Sequence, residues 1–500
     1  MARMRLQRLV DVSNRVAATR SRLAKRDLIA DLLRETPPEE LEVATAYLSG
    51  VLVQRRTGVG WRGLADLPEP ASEPRLELAD IDRALSRLEA LAGPGSGDSR
   101  RAAVRELFAA LTAPEQEYLR GLMTGNLRQG AQDSVVLDAV AAASGIAPAV
   151  VRRAAMFSAP TGPVAQAALT GGEEGLARFT LEVGRPVRPM LASSAPDVAA
   201  GVEKLGGGAF AADTKLDGFR VQVHKRGDEV TVFTRSLDEV GDRLPTVVAA
   251  ARGLPARDLV LDGEALALDA EGRPRPFQET ASGMAALQPF FFDLLLHDEE
   301  RFITRPLADR LDRLDRLVPE ELQVRRLVSS SVDDAVAFFH DSVGAGQEGV
   351  VLKRLDAAYE AGRRGSAWVK VKPRHTLDLV VLAVEWGSGR RRGWLSNIHL
   401  GARDPSSGDD GFVMLGKTFK GMTDEMLAWQ TERFLSLETG REGHVVHLRP
   451  EQVVEVAFDG VQRSPRYPGG VALRFARVLR YRDDKGADEA DTLAAVRELL

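Results

Sequence analysis

The spacing of apolar residues changes along the chain, and this change limits the folds available to it. In the first third, apolar residues recur every three to four positions, as at Leu9, Val12 and Val16, which is the period of an amphipathic helix. From about residue 186, short β-rich runs alternate with helical stretches. A chain of 500 residues can hold about three domains of ordinary size. We therefore predict an all-α domain, an α+β domain and a strand-rich domain.

Proline-containing segments set the predicted domain boundaries. Pro186–Leu191 resembles a linker, and Pro373 ends the strand that precedes it. The predicted domains are 1–185, 186–372 and 373–500. In the first, Thr112-Ala-Pro-Glu115 is a capping-box sequence before a helix. In the second, the predicted strands are Val230–Thr234, Leu259–Asp262 and Gly349–Lys353, and the predicted helices are Leu307–Leu317 and Val332–Phe339.

The last domain is predicted to be an OB-type barrel, a common binder of nucleic-acid backbones. It shows five short strand patterns and one helical pattern near Thr423–Leu437. Gly387–Gly393 is a glycine-flanked basic turn, predicted to contact phosphate or simply to be solvated. The predicted strands are Leu379–Trp386, Trp394–Leu400, Gly411–Leu415, Val453–Phe458 and Leu473–Leu479.

Composition excludes several classes of protein. The chain has no cysteine, so neither disulfides nor thiolate zinc sites can form. No apolar run reaches the roughly 18 to 20 residues of a membrane span, and no secretory signal is visible, so the cytoplasm is the expected location. The net charge of −5 means that binding to nucleic acid would depend on local basic patches such as Arg390–Arg392.

The most informative motif is Lys215-Leu-Asp217-Gly218, which lies between a short apolar run and the alternating stretch Val221–His224. This pattern places a lysine at a junction between a strand and a turn. A lysine amine is nucleophilic only when deprotonated, and its ordinary pKa of about 10.4 means that burial or neighbouring cations must favour the neutral form. By itself the motif is equally compatible with a solvated turn.

Further motifs follow in a fixed order, and together they decide the interpretation. They are Thr234-Arg235-Ser236, Leu261-Asp-Gly-Glu264, Phe290-Phe-Phe292-Asp293, Glu348-Gly-Val-Val351, Trp368-Val-Lys370-Val-Lys372 and Arg480-Tyr-Arg482-Asp-Asp484-Lys485. This series resembles the ATP-dependent DNA ligases, which belong to the covalent nucleotidyltransferases. NAD-dependent DNA ligases have a similar core, but they carry a four-cysteine zinc module that this chain cannot form. ATP is therefore the expected AMP donor.

The resemblance implies a role for each matching residue. Lys215 would attack the α-phosphate of ATP and carry AMP, and Lys370 and Lys372 would contact that phosphate from one face of a strand. Phe292 would stack on adenine, although it could equally be a core residue. Asp213 occupies the position from which a glutamate normally reads the adenine amino group, and it is one methylene shorter. The other implied cofactor-binding residues are Arg220, Arg235, Glu264 and Arg364 for the ribose and phosphates, and Arg482 and Lys485 for the pyrophosphate.

Two acidic residues are the implied metal ligands. Glu348 is the stronger candidate for Mg²⁺, and Glu264 would reach both the ribose and the metal, although it could also be a solvated residue at a strand end. Mg²⁺ keeps few carboxylate ligands and retains phosphate and water oxygens. One departure from the family pattern concerns the segment 278–289, which is shorter and less basic than in relatives. Its effect on activity is left open.

The resemblance implies that the protein seals 5′-phosphate/3′-hydroxyl nicks in duplex DNA and acts as a monomer. The stretch Gly121–Gly130 resembles the part of the amino-terminal domain that holds DNA phosphates, or it is a simple turn between helices. Pro373 and His375–Asp378 are the predicted hinge for motion of the last domain. No clear clamp-binding peptide is visible. An RNA ligase, a capping enzyme, and a nicked-DNA-binding protein without catalysis remain the alternatives.

Overall fold

The computed structural model describes residues 3–500, except 55, 94, 132, 270–274, 276–285, 362–363 and 407–410. The described chain forms two compact units. The first comprises Met1–Ser194 and Gly201–Lys370, and the second comprises Ala195–Ala200 and Val371–Leu500. The first unit therefore contains most of both predicted amino-terminal domains. Among the described helices, none combines the length and apolarity that a membrane span requires.

The first 177 residues form no β-strand in their described part, as the helical spacing predicts. Their apolar stripes face inward and form one core, which includes Leu9, Val12 and Val16. The predicted capping box is confirmed, since the Thr112 N–H donates to Glu115 Oε2 at 2.9 Å. The helices are Leu6–Ala18, Arg22–Glu35, Leu41–Leu48, Leu78–Ala90, Ser96–Ala109, Ala113–Met123, Asp133–Ser144, Pro148–Met156 and Gly162–Ala177.

Two five-stranded sheets form most of the rest of the first unit in its described part. The helices Pro245–Arg252 and Leu307–Leu317 pack on the second sheet and close a core around its apolar face. The other described helices of this unit are Val198–Leu205 (partly assigned to the second unit) and Val332–Gly344. The strands are β1 (Leu191–Ser194), β2 (Phe210–Thr214), β3 (Phe219–Arg226), β4 (Glu229–Thr234), β5 (Asp258–Leu266), β6 (Gln288–His297), β7 (Glu300–Arg301), β8 (Arg326–Ser329), β9 (Val350–Arg354) and β10 (Arg364–Val371). The first sheet has the order β1-β10-β9-β2-β8 and the second the order β4-β3-β5-β6-β7.

The second unit is built on a seven-stranded antiparallel sheet. Its long strand β11 pairs with β12 on one side and with both β15 and β16 on the other. The predicted helix is present as Asp424–Ser436, capped by Thr423, and a second helix spans Leu493–Arg497. The strands are β11 (His375–Trp386), β12 (Leu395–Arg403), β13 (Phe412–Thr418), β14 (Glu438–Glu442), β15 (Val445–Leu448), β16 (Val453–Phe458), β17 (Gly460–Arg463), β18 (Val471–Arg474) and β19 (Arg477–Tyr481).

The single strand predicted over Leu473–Leu479 is wrong. The chain forms two strands there, β18 and β19, which pair with β17 and β16 respectively. Between them Phe475 has a φ of +56°, a left-handed conformation that interrupts an extended strand. The apolar pattern continues across this break, so it gives no sign of the change of partner.

Candidate active site

Lys215 follows directly after β2, and backbone hydrogen bonds join it to the residues before β9. Its N–H donates to the Gly349 carbonyl at 2.8 Å, and its carbonyl accepts from the Glu348 N–H at 3.0 Å. Gly349 has a φ of +132°, which favours glycine at that position. The end of β2 and the start of β9 therefore hold Lys215 and Glu348 side by side, although 133 residues separate them.

The two side chains form an ion pair between Lys215 Nζ and Glu348 Oε2. Both are largely buried, with 22% and 16% of the side-chain surfaces exposed. A carboxylate in contact with the ammonium group can take up the proton that the amine must lose before it attacks an electrophile. This pairing brings together two residues that stand in separate motifs of the sequence.

Lys215 lies in the wall of a cavity of about 250 Å³. Five basic and two acidic side chains line this cavity, so its charge favours an anionic ligand. Apolar and aromatic side chains line it as well, which suits a ligand with a planar base and a phosphate chain. The charged lining residues are Lys215, Arg220, Arg235, Lys353, Lys370, Asp213 and Glu264.

Phe292 and Trp368 form the aromatic part of the cavity wall. Their ring centroids are 5.9 Å apart, with an edge-to-face orientation. The ammonium group of Lys353 lies 4.5 Å from the Phe292 centroid and 4.3 Å from that of Trp368. Sequence reasoning gave Lys353 no role, although the period of a strand places it on the same face of β9 as Val351, which also lines the cavity.

Asp213 is buried in the wall and bound by two cations. Lys353 Nζ lies 2.5 Å from its carboxylate, and Arg326 Nε donates to it at 2.6 Å. Burial raises the pKa of Asp213, but the two cations lower it further, so the net pKa lies below the ordinary value. Asp213 is therefore an anion with a fixed orientation, in the position where contact with adenine was predicted.

Arg220 is fixed by Asp262, a residue for which the sequence predicted no role. Arg220 Nε and Nη2 donate to the two carboxylate oxygens at 3.0 and 2.6 Å, and Nη1 donates to the Met190 carbonyl at 2.6 Å. Tyr359 also donates to Asp262, at 2.7 Å. Burial lowers the pKa of Arg220, but Asp262 outweighs this effect and the pKa rises. Arg220 is thus a permanent cation held in place from behind the cavity.

Glu264 lies on β5 opposite Arg220, in the cavity wall. Removal from water raises its pKa to about 7, with Asp262 and Glu348 adding to the rise while Lys215 and Arg220 oppose it. A Cβ atom at Gly218 would lie only 2.5 Å from the Ala265 carbonyl. The glycine of the Lys215–Gly218 motif therefore allows β5, with Glu264, to approach the lysine.

The remaining predicted residues of this group differ in their placement. Arg235 and Lys370 line the cavity. Strand β10 ends at Val371, so the alternation argument that placed two lysines on one strand face applies to Lys370 alone. Lys372 belongs to the second unit and donates to Asp459 at 3.2 Å. The side chain of Arg364 lies outside the described part of the structure, as do residues 278–285 of the shortened segment.

Arg482 and Lys485, predicted to contact pyrophosphate, meet at one carboxylate in the second unit. Arg482 Nη1 donates to Asp378 at 3.1 Å, and Lys485 Nζ donates to the same residue at 2.6 Å. Both cations also line a cavity of about 280 Å³ with Trp429 and Arg433. The sequence predicted the cations but not their shared partner.

Glu264 and Glu348 also suit the metal that the motifs imply. Both carboxylates lie near Lys215. Mg²⁺ takes one or two carboxylates together with phosphate and water oxygens, so the site needs no further protein ligand. Among the described residues, no cluster of three or more acidic or histidine side chains forms a complete metal cage. The residues therefore fit a Mg²⁺ ion that is shared with a bound phosphate.

Comparisons with known proteins show which family the chain resembles. Models of three families match: ATP dependent DNA ligase domain over residues 189–372, ATP dependent DNA ligase C terminal region over 391–485, and DNA ligase N terminus over 67–141. The probable DNA ligase of Beutenbergia cavernae is 63% identical, with 99% of both chains covered. That of Nocardioides sp. is 59% identical, with 98% of both chains covered.

Solved structures show the same fold over nearly the whole chain. Pmar-Lig_PreS3 matches with a TM-score of 0.63 at 20% identity, and Pmar-Lig_Pre. matches with a TM-score of 0.65 at 19% identity. In both cases 95% of this chain and 99% of the other chain are covered. The family models and the full-length relatives together show that the chain belongs to the ATP-dependent DNA ligases.

Proposed function

We propose that Lys215 is the residue that carries AMP when this ligase seals 5′-phosphate/3′-hydroxyl nicks in duplex DNA. The observation that carries the proposal is the Lys215–Glu348 ion pair in the wall of a cation-rich cavity. Lys215 Nζ forms a bond to the α-phosphorus of ATP, the bond from that phosphorus to the bridging oxygen breaks, and pyrophosphate leaves. Glu348 takes up the proton that the amine loses.

The later steps return the lysine to its free state. An oxygen of the DNA 5′-phosphate attacks the phosphorus of the bound AMP, and the phosphorus–nitrogen bond breaks. The 3′-hydroxyl then attacks the activated 5′-phosphate, which forms the phosphodiester and releases AMP. Charge spreads over the phosphoryl oxygens in each step, so the lining cations Arg220, Lys353 and Lys370 contribute by position and charge.

The other residues that the family pattern singles out also have a part in this proposal. Phe292 stacks on adenine, and Asp213, held by Lys353 and Arg326, accepts from the adenine amino group. Glu264 contacts the ribose, as do Arg220 and Arg235, which line the same cavity. When bound, Mg²⁺ would neutralise phosphate charge beside Glu264 and Glu348. Lys372 and Arg364 are assigned to the phosphates, and Arg482 and Lys485 to the pyrophosphate, by the family pattern alone.

We assign DNA contact to the helical region and to the second unit. The turn after the helix Ala113–Met123 exposes Asn126 and Arg128, while buried Gln129 accepts from Ser13 Oγ at 2.6 Å and fixes the turn. Such exposed basic and amide groups suit phosphate contacts without base readout. In the second unit, the pairing of long β11 with three neighbours supports the predicted OB-type barrel, and the basic turn between β11 and β12 is its proposed phosphate contact.

A nick-sealing assay tests the proposal directly. With ATP and Mg²⁺, the protein is expected to join a duplex carrying a 5′-labelled phosphate at a nick, and a short-lived adenylated 5′ end should appear before the joined product. A matched nick in an RNA duplex is expected to be joined far less. Covalent labelling of the protein without transfer of AMP to the DNA end would contradict the proposal.

The raised pKa of Glu264 predicts a pH dependence for self-adenylation. The proposed contacts need the carboxylate, which is protonated below about pH 7, so the single-turnover rate should rise through that pH. Glu264→Gln should react slowly at all pH values and lose this part of the profile. The rate is measured between pH 5.5 and 8.5 at fixed Mg²⁺. An unchanged profile in Glu264→Gln would assign the titration to another group.

The same carboxyl group also links pH to folding. Its folded pKa of about 7 lies above the ordinary value of 4.5. Its contribution to stability is therefore fully present below about pH 4.5 and is lost as the pH rises through about 7.

A further inference from the structure

We infer that Asp378 is a positioning residue that competes with the triphosphate of ATP for Arg482 and Lys485. The inference rests on the proposed role of these two cations in binding the pyrophosphate part of ATP. In the structure, the Asp378 carboxylate accepts from the N–H groups of Arg482 and Lys485 that would otherwise bind phosphate oxygens. ATP must displace this carboxylate, and departure of pyrophosphate allows it to return.

The contacts of Asp378 are specific and largely shielded from water. Its carboxylate accepts from Arg482 Nη1 at 3.1 and 3.3 Å and from Lys485 Nζ at 2.6 Å. Only 13% of the Asp378 side-chain surface is exposed. Its backbone is also fixed, since its N–H donates to Asp491 Oδ2 at 2.7 Å and its carbonyl accepts from the Asp491 N–H at 2.8 Å. The sheet therefore fixes the backbone of Asp378, while side-chain contacts alone hold its carboxylate at the two cations.

The local charge balance shows why the cations are not ready to bind an anion. Arg482 also donates to both oxygens of Asp484, at 2.8 and 2.7 Å, and Glu455 lies 3.9 Å from it. Arg480 in turn pairs with Glu455 at 2.7 Å, so three carboxylates balance three cations in this cluster. A polyphosphate approaching it meets no net positive charge, and withdrawal of one carboxylate leaves a single positive charge.

Asp378 is the carboxylate best placed to withdraw. Asp484 lies two residues from Arg482 and moves with it, whereas Asp378 lies on β11, 104 residues away in sequence. It is also the residue that joins Arg482 to Lys485, so its loss frees donors on both. The backbone of Asp378 stays paired in the sheet, so its carboxylate withdraws by rotation of the side chain to another rotamer.

The test replaces Asp378 with asparagine in the full-length protein and measures self-adenylation against ATP concentration. The asparagine keeps the size of the side chain but removes its charge. We expect the KM for ATP to fall about fivefold to tenfold, because one charge-assisted contact no longer competes. Pyrophosphate should also reverse the adenylation at a correspondingly lower concentration. Joining of a nicked duplex with a preadenylated 5′ end, which needs no pyrophosphate contact, should be unchanged.

Two comparisons make the result decisive. Glu385→Gln is the matched control. Glu385 lies on β11 like Asp378, about 23 Å further along the strand at 3.3 Å per residue, and it pairs with Lys417 of β13. Its KM for ATP should equal that of the unaltered protein. An unchanged or higher KM in Asp378→Asn would show that Asp378 merely orients the cations and would overturn the inference. Should Asp378→Asn unfold, Asp378→Ser provides the same loss of charge.

Lys485→Met separates failure of this inference from failure of the proposed function. If Lys485→Met raises the KM for ATP while Asp378→Asn leaves it unchanged, only the competition is refuted. If Lys485→Met has no effect on adenylation, the pyrophosphate role of the cations fails and the inference fails with it. In the double variant, the gain from Asp378→Asn should be largely lost, which a general structural effect of Asp378 would not produce.

Discussion

Replacing Lys215 with arginine is expected to stop covalent labelling of the protein by α-labelled ATP, with a loss of at least about 10⁴-fold in rate. A guanidinium stays protonated at any working pH and so has no free electron pair to attack phosphorus. Arginine nevertheless keeps the positive charge, so Glu348 retains a cationic partner and the charge of the cavity stays the same. The substitution therefore removes the nucleophile while preserving the electrostatics.

The measurement follows single-turnover labelling after treatment with pyrophosphate, which removes AMP that the purified protein already carries. Lys204→Arg is the matched control, because Lys204 is an exposed lysine of the same unit and should label normally. Lys215→Arg should still join a nicked duplex whose 5′ end is already adenylated, since the lysine has no bond to make in that step. Persistent labelling of Lys215→Arg would place the nucleophile elsewhere.

Local features of the fold could be predicted because they depend on neighbouring residues. The helix Leu307–Leu317 has the predicted bounds, since its leucines recur at the helical period. The capping box at Thr112 depends on residues three apart, and the chemistry of that pair is enough to place it. The strand break at Phe475 could not be predicted, because a change of pairing partner leaves the apolar pattern intact.

The candidate site was predictable only in part, for a related reason. Lys215 and Glu348 stand in motifs that the family resemblance identifies, and the structure pairs them. The partners of Asp213 come from β8 and β9, more than 100 residues away in sequence, and no local pattern joins them. The structure therefore adds mainly the charged residues that bind the predicted site residues. These contacts form only when the sheets bring distant parts of the chain together.

Asp293, the residue after Phe292, shows how a buried ion pair supports the site. Asp293 accepts from Arg310 Nε and Nη2 at 2.7 and 3.0 Å, and neither side chain has any exposed surface. Arg310 also donates to the Arg305 and Ala357 carbonyls at 2.8 and 2.9 Å. The pair ties the helix Leu307–Leu317 to β6, directly beside the proposed adenine-stacking residue. The aspartate of this motif therefore supports the site from within the core.

Asp293→Asn is expected to destabilise the first unit by about 3–5 kcal/mol, because it leaves the guanidinium of Arg310 without a counter-charge in the core. Asp293→Asn combined with Arg310→Met should unfold at a higher temperature than Asp293→Asn alone, since no buried charge remains. Asp309→Asn, at an exposed position of the same helix, should cost less than about 1 kcal/mol. Thermal unfolding followed by circular dichroism gives the order of the four proteins. If the double variant were the least stable, the uncompensated charge would not explain the loss of stability of Asp293→Asn. The loss would then come from packing and from the hydrogen bonds of Arg310 to the two carbonyls.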